Sequence, residues 1–187
     1  MASRSGISKT AVTIGAVLTV GVMMASCDEK DPASAAVIPA KIGGKTFHLE
    51  VAADDQVRLK GLGGRTHIED DGGMIFAFPG SQVNVKSFIM RDCPINMDIL
   101  YLNSAGRVLT TYTMLKEEPR KADGSEGKEG DWNSAGGIKY DERLKRYSSR
   151  FPTQFVIEIQ EGMVAKLGVK EGDQVTFDVE SLKRRAK

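Results

Sequence analysis

The feature that most constrains the fold is a succession of short apolar segments, each a strand's length, divided by turn residues. Residues 45–52 (KTFHLEVA) alternate Phe47, Leu49 and Val51 with Thr46, His48 and Glu50, the period-2 pattern of a half-buried strand. Segments 73–78 (GMIFAF), 85–90 (VKSFIM), 97–102 (MDILYL) and 107–114 (RVLTTYTM) follow, separated by Pro79-Gly80, Cys93-Pro94 and Asn103-Ser-Ala-Gly106. Links this short favour antiparallel pairing. Residues 155–159 (FVIEI) and 174–179 (QVTFDV) resume the pattern. The expected fold is mainly β, a compact antiparallel sandwich or barrel with one to three short helices. One helix is expected from Asp54, whose side chain can cap the first turn, to Leu62; another over 162–167; and a turn or two over 141–147.

The N-terminal region sets a different expectation. Residues 1–10 carry two positive charges, and 11–25 (AVTIGAVLTVGVMMA) are uncharged and mostly apolar. This is the layout of a signal peptide, and fifteen residues fall short of the roughly 20 that cross a bilayer as a helix. The run ends in Met24-Ala25-Ser26-Cys27, which resembles the bacterial lipobox. We expect a signal peptide over 1–26, acylation of Cys27, and a polar tether over 27–41 that leads into a domain spanning 42–180. Acyl chains contribute about 0.8 kcal/mol per buried CH₂, enough to hold the protein at a membrane surface without a spanning helix. The expected location is therefore exported, on the extracytoplasmic face of a bacterial cell envelope.

Residues 1–26 carry only Arg4 and Lys9, so without them the formal charge moves from +1 to −1. Such a balance lacks the one-sided basic field that nucleic-acid binding requires. With Cys27 lipidated, Cys93 is the only thiol left, so no internal disulfide can form, and its apolar setting reads as a small buried hydrophobe. Only His48 and His67 are available, which excludes a His-rich metal site; no metal or cofactor is expected. Walker, HExxH, GxSxG and CxxC patterns are all absent. Residues 116–150, with seventeen charged residues and five glycines, read as a long exposed insert, and 181–187 as a basic tail.

Asp98 stands out because it lies inside an apolar run, where a buried carboxylate needs a partner. Arg58, Arg65 and Arg91 are the expected partners, since guanidinium groups grip carboxylates bidentately. Met74 and Met90 read as core filling first and as a soft binding surface second.

The stretch from Val51 to Tyr101 resembles the domain-of-unknown-function 192 family. Matching residues are Arg58, Gly61, Leu62 and Arg65, then Gly73, Met74, Ile75, Phe76 and Phe78, then the block from Ser87 to Ile99. Phe155-Val-Ile-Glu158, Gly162, Gly168 and Gly172-Asp173 resemble the family's closing segment. The resemblance implies an often exported, compact β sandwich or barrel with short helices. Departures fall at Ile89, Asp92-Cys93 and Asn96, where the family has Trp, Asn-Thr and Pro, and at the 116–150 insert.

Two functional readings follow. The first is a noncatalytic ligand-binding or accessory module whose binding surface comprises Arg58, Arg65, Met74, Met90, Arg91 and Asp98, with a small molecule or an envelope protein as partner. The alternative is an envelope hydrolase acting on carbohydrate or peptide through Asp98 and a second acid. A third makes the 116–150 insert a docking element.

Overall fold

The structure is a computed structural model that describes residues 1–2 and 36–187. The signal-peptide, lipidation-site and most of the tether expectations lie outside the described residues. Eight strands make up its two sheets: β1 (Val37–Ile42), β2 (Lys45–Ala52), β3 (Met74–Ala77), β4 (Asn84–Phe88), β5 (Met97–Leu102), β6 (Val108–Met114), β7 (Tyr147–Thr153) and β8 (Phe155–Gln160). Six form one sheet in the order β1-β2-β3-β8-β5-β6, and β4 pairs with β7 in a separate ribbon. The mainly β expectation holds, as an open sheet rather than a closed barrel. One pair departs from the antiparallel expectation: β2 and β3 run parallel, because residues 53–73, which include α1 (Asp55–Lys60), carry the chain back before β3 begins.

The central strands β3, β5 and β8 read as continuous apolar runs because both faces of the sheet are covered. Alternate residues then enter two different cores. Ile75, Leu100, Leu102, Phe155, Ile157 and Ile159 join one with Phe47, Met163, Val175 and Leu182. Phe76, Met97, Ile99, Tyr101 and Val156 join the other with Leu62, Met90, Met114 and Tyr147. The β4–β7 ribbon lies on this second face. An edge-to-face aromatic series, Phe76–Phe88–Tyr101–Tyr112–Tyr147, ties it to the sheet with centroid spacings of 5.1, 5.8, 6.3 and 5.7 Å. Tyr101 Oη donates to the Tyr147 carbonyl at 2.6 Å, and Tyr112 Oη to that of Ser148 at 2.9 Å.

Several sequence expectations need correction. The domain begins before residue 42: β1 pairs along its length with β2, Ala40 and Ile42 being fully buried, so residues 37–41 are an edge strand rather than tether. Residues 174–179 form only isolated bridges, Arg107 with Gln174 and Lys41 with Thr176, and the chain then turns into α4 (Val179–Arg185). The 181–187 tail is mostly this helix, capped by Asp178 and fastened by buried Leu182. With α2 (Ala135–Arg143) and α3 (Met163–Lys166), the described residues hold four α-helices, one more than expected.

The 116–150 insert is largely exposed, as expected, and ion pairs fasten it to the 91–92 turn. Arg143 grips the buried Glu126 carboxylate at 2.7 and 3.0 Å, and Lys121 N–H donates to the same group, which together hold it down to about 2. Both Arg120 and Arg143 lie over the buried Tyr140 ring, at 4.2 and 4.8 Å. Arg120 forks onto Asp92 at 2.8 and 2.9 Å, and Asp141 of α2 receives Arg91. Four of the insert's seventeen charges, Arg120, Glu126, Asp141 and Arg143, pair with one another or with the 91–92 turn.

Candidate functional site

A cavity of about 360 Å³ opens between α1, the β4 end of the ribbon, the 91–93 turn and the second face of the sheet. Asp54 starts α1 by accepting from Val57 N–H at 3.1 Å, and Gly61, at φ +51°, ends it. One turn in between places Arg58 at the cavity wall, where it donates to the Ala77 carbonyl at 2.8 Å and to Asp55 at 2.6 Å, and also to the Lys187 carbonyl. Phe76, Phe78 and Phe88 supply the apolar lining. Phe78 carries two cations: Arg58 lies 5.2 Å and Lys86 Nζ 4.1 Å from the ring centre. Lys86 is half-buried, donates to the Gln82 carbonyl at 2.7 Å, and has no carboxylate partner among the described residues. Desolvation, and then the nearby Arg58 charge, lower its pKa.

Glu158 lies at the inner end. It sits mid-strand in β8 between Ile157 and Ile159, which enter the opposite core, so the period of the strand turns its side chain to the cavity side with Val156. It is 5 % exposed. No hydrogen bond to its carboxyl occurs among the described residues, and desolvation alone raises its pKa to about 8. At pH 7 it is mostly the neutral acid. Cys93 lines the same space; its thiol donates to the Arg91 carbonyl at 3.3 Å, and burial first, then the Glu158 carboxyl, push it up to about 12. Such a thiol is inert as a nucleophile.

The structure separates the residues that the sequence grouped together. Arg58 and Arg91 line the cavity, Arg91 through its fork onto Asp141. Arg65 lies elsewhere, bound bidentately by Glu50 at 2.5 and 2.6 Å, which raises its pKa. Met74 and Met90 are 2 % and 1 % exposed and fill the second core. Asp98 is fully buried, but none of the three arginines is its partner: Thr113 Oγ1 donates to it at 2.7 Å and Val164 N–H of α3 at 2.8 Å. Asp98 faces the first core, because Ile99, its neighbour in β5, is the residue that stands opposite Glu158 in the register. The two acids therefore point to opposite sides of the sheet. Asp98 fastens α3 to β5 and lies outside the cavity.

His48 and His67 are exposed beside Asp71 and Glu69, at 3.1 and 3.5 Å. No group of three or more His, Cys, Asp or Glu side chains suited to a metal occurs among the described residues.

Sequence reasoning missed Glu158, Lys86 and Phe88. The signal for Glu158 was present: FVIEI embeds one acid in an apolar strand, as MDILYL embeds Asp98.

The model of the DUF192 family, described as "Uncharacterized ACR", matches residues 38–177. The chain belongs to this family. Arg58, Phe76, Phe78 and Glu158, which line the cavity, all fall within the matched residues. No curated protein matches the chain. A solved protein of unknown function from Novosphingobium aromaticivorans DSM 12444 has a TM-score of 0.56 at 24% identity, over 75% of this chain and 83% of that one. A second, from Sinorhizobium meliloti 1021 and described as a candidate transcription regulator, has a TM-score of 0.55 at 23% identity, over 76% of this chain and 92% of that one. Both are similar in fold.

Proposed function

We propose that this DUF192 domain is a noncatalytic binding module for a small organic anion, held at the bacterial cell envelope by lipid on Cys27. The observation that carries the binding reading is the charge of the cavity. Five basic side chains, Arg58, Lys60, Lys86, Arg91 and Arg146, line it against three acidic ones, Asp55, Asp141 and Glu158. Aromatic walls suit the apolar body of a ligand, and an unpaired lysine suits its anionic group. Anchoring is supported by the apolar run 11–25 and by Met24-Ala25-Ser26-Cys27. Among the described residues, no helix is long and apolar enough to cross a membrane. An envelope protein as partner, and docking through the insert, have no comparable support, and the near-neutral charge disfavours nucleic acid.

The hydrolytic alternative asks for two carboxylates facing one cleft. Asp98 and Glu158 face opposite sides of the sheet, and both Asp98 oxygens are engaged, so the geometry favours binding.

Thermal denaturation with a panel of small carboxylates and phosphates tests the reading. A ligand at 100 times its Kd stabilises the fold by about 2.7 kcal/mol. The expected result is a raised Tm with one or more anions, abolished in Lys86→Ala; no shift with any anion contradicts it.

A further inference from the structure

We infer that the ligand of this cavity is an anion whose inner end carries an uncharged hydroxyl or amide group, which pairs with the Glu158 side chain. This rests on the reading of the cavity as an anion site and deepens it. The buried acids of the domain are otherwise satisfied: Asp98 accepts two hydrogen bonds, and Glu126 is held by Arg143 and Lys121. Glu158 alone among them lines the cavity, 5 % exposed, with no side-chain hydrogen bond or ion pair among the described residues. A buried polar group of that kind is costly unless something enters to satisfy it.

The two ends of the cavity differ. Phe78, flanked by Lys86 and Arg58, bonds to Gln154, four residues before Glu158 in the chain, and no base perturbs Glu158. A ligand spanning both meets cations with its anionic group and the Glu158 carboxyl with its far end. A neutral carboxylic acid offers one O–H donor and one carbonyl acceptor, which a hydroxyl or a primary amide complements without any buried charge. An ammonium group there would require Glu158 to ionise, and would leave its remaining N–H donors against Phe76 and Phe88. Neutral pairing is the cheaper arrangement.

Calorimetric titration of the full chain at about pH 6.5 with phenylpropionate, its para-hydroxy derivative and its para-aminomethyl derivative tests this. The hydroxy compound should bind about tenfold tighter than the parent, the worth of one good neutral hydrogen bond. Glu158→Gln, whose amide also has one acceptor and a donor but does not titrate, should keep that preference. Its affinity should stay constant up to about pH 9, whereas that of the unmodified protein weakens as Glu158 ionises. Glu158→Ala should bind parent and hydroxy compound alike. Tightest binding by the aminomethyl compound, or a hydroxyl preference that survives in Glu158→Ala, overturns the inference. Equal binding of all three overturns it while leaving the anion site standing; no binding by any of them, with the protein folded, overturns it too, and the anion reading falls with it when no anion of the thermal panel binds.

Discussion

Gly73 packs against the backbone of Glu158 so closely that a Cβ on it would lie 2.3 Å from the Glu158 carbonyl oxygen, and its φ of +145° suits glycine alone. The residue that precedes β3 thus fixes where the acid-bearing strand runs, and the neighbouring pair Met74 and Glu158 continues the register. Gly73→Ala should destabilise the domain by about 2 kcal/mol or more, through strain and a backbone clash that no side-chain rotation relieves. Urea unfolding measures it; a midpoint equal to that of the unsubstituted protein would contradict the packing.

Asp98 should matter to stability and not to ligand binding. Asp98→Ala strands the Thr113 hydroxyl and the Val164 N–H, at a cost of about 1–3 kcal/mol. In protein that is still folded, affinity for any anion found in the thermal screen should be unchanged. Loss of affinity with full stability would place Asp98 at the site after all.

Glu158 makes stability depend on pH in a definite direction. Its folded pKa, about 8, lies above the ordinary glutamate value of about 4.3, so the folded state holds a proton that the unfolded chain releases. The folded state is therefore favoured fully below about pH 4.3, loses that advantage as pH rises toward 8, and loses no more beyond it. Glu158→Gln removes the dependence. The difference in unfolding free energy between Glu158→Gln and the unsubstituted protein should grow by several kcal/mol between about pH 5 and pH 8. A difference constant across that window would contradict it.

Cys93 should behave as a packing residue. In Cys27→Ser protein, where it is the only thiol, reaction with an aromatic disulfide reagent at about pH 8 should be slow and should accelerate on unfolding, since burial pushes the thiol up to about 12. Rapid labelling of the folded protein would contradict this.

Tyr101→Phe should cost about 1 kcal/mol, because the hydroxyl donates to the Tyr147 carbonyl at 2.6 Å and ties the ribbon to the sheet. Hydrogen exchange of β7 amides measures the local effect, which should exceed that in β8; equal protection in both proteins would contradict it.

The strands were legible in the sequence where polarity alternates or an apolar run ends at a turn: β2 and β5 fall on the expected residues. What the period could not supply was pairing. The parallel contact of β2 with β3, and the separation of β4 from the main sheet, depend on which strands meet, and that is decided by burial across the whole chain. β1 was hidden because VIPAKI contains a proline and a lysine, both tolerated on an edge. The exposure of the insert was legible in its charge density; the three pairs that fasten it were not, because charges that pair look, in one dimension, like charges that face water. Arg58 and Arg91 were found at the cavity, but Asp98 was chosen over Glu158 because both are single acids in apolar strands. Only the register of β5 against β8 shows that they face opposite ways.

The most direct measurement of the central claim is the titration of the Glu158 side-chain carboxyl by carbon-13 NMR in the folded, ligand-free protein. A neutral, unpartnered acid at the inner end of the cavity predicts a midpoint near 8, on a resonance that disappears in Glu158→Gln. A midpoint near 4.3, the ordinary glutamate value, would mean that the carboxyl is hydrated or paired, and would contradict the account.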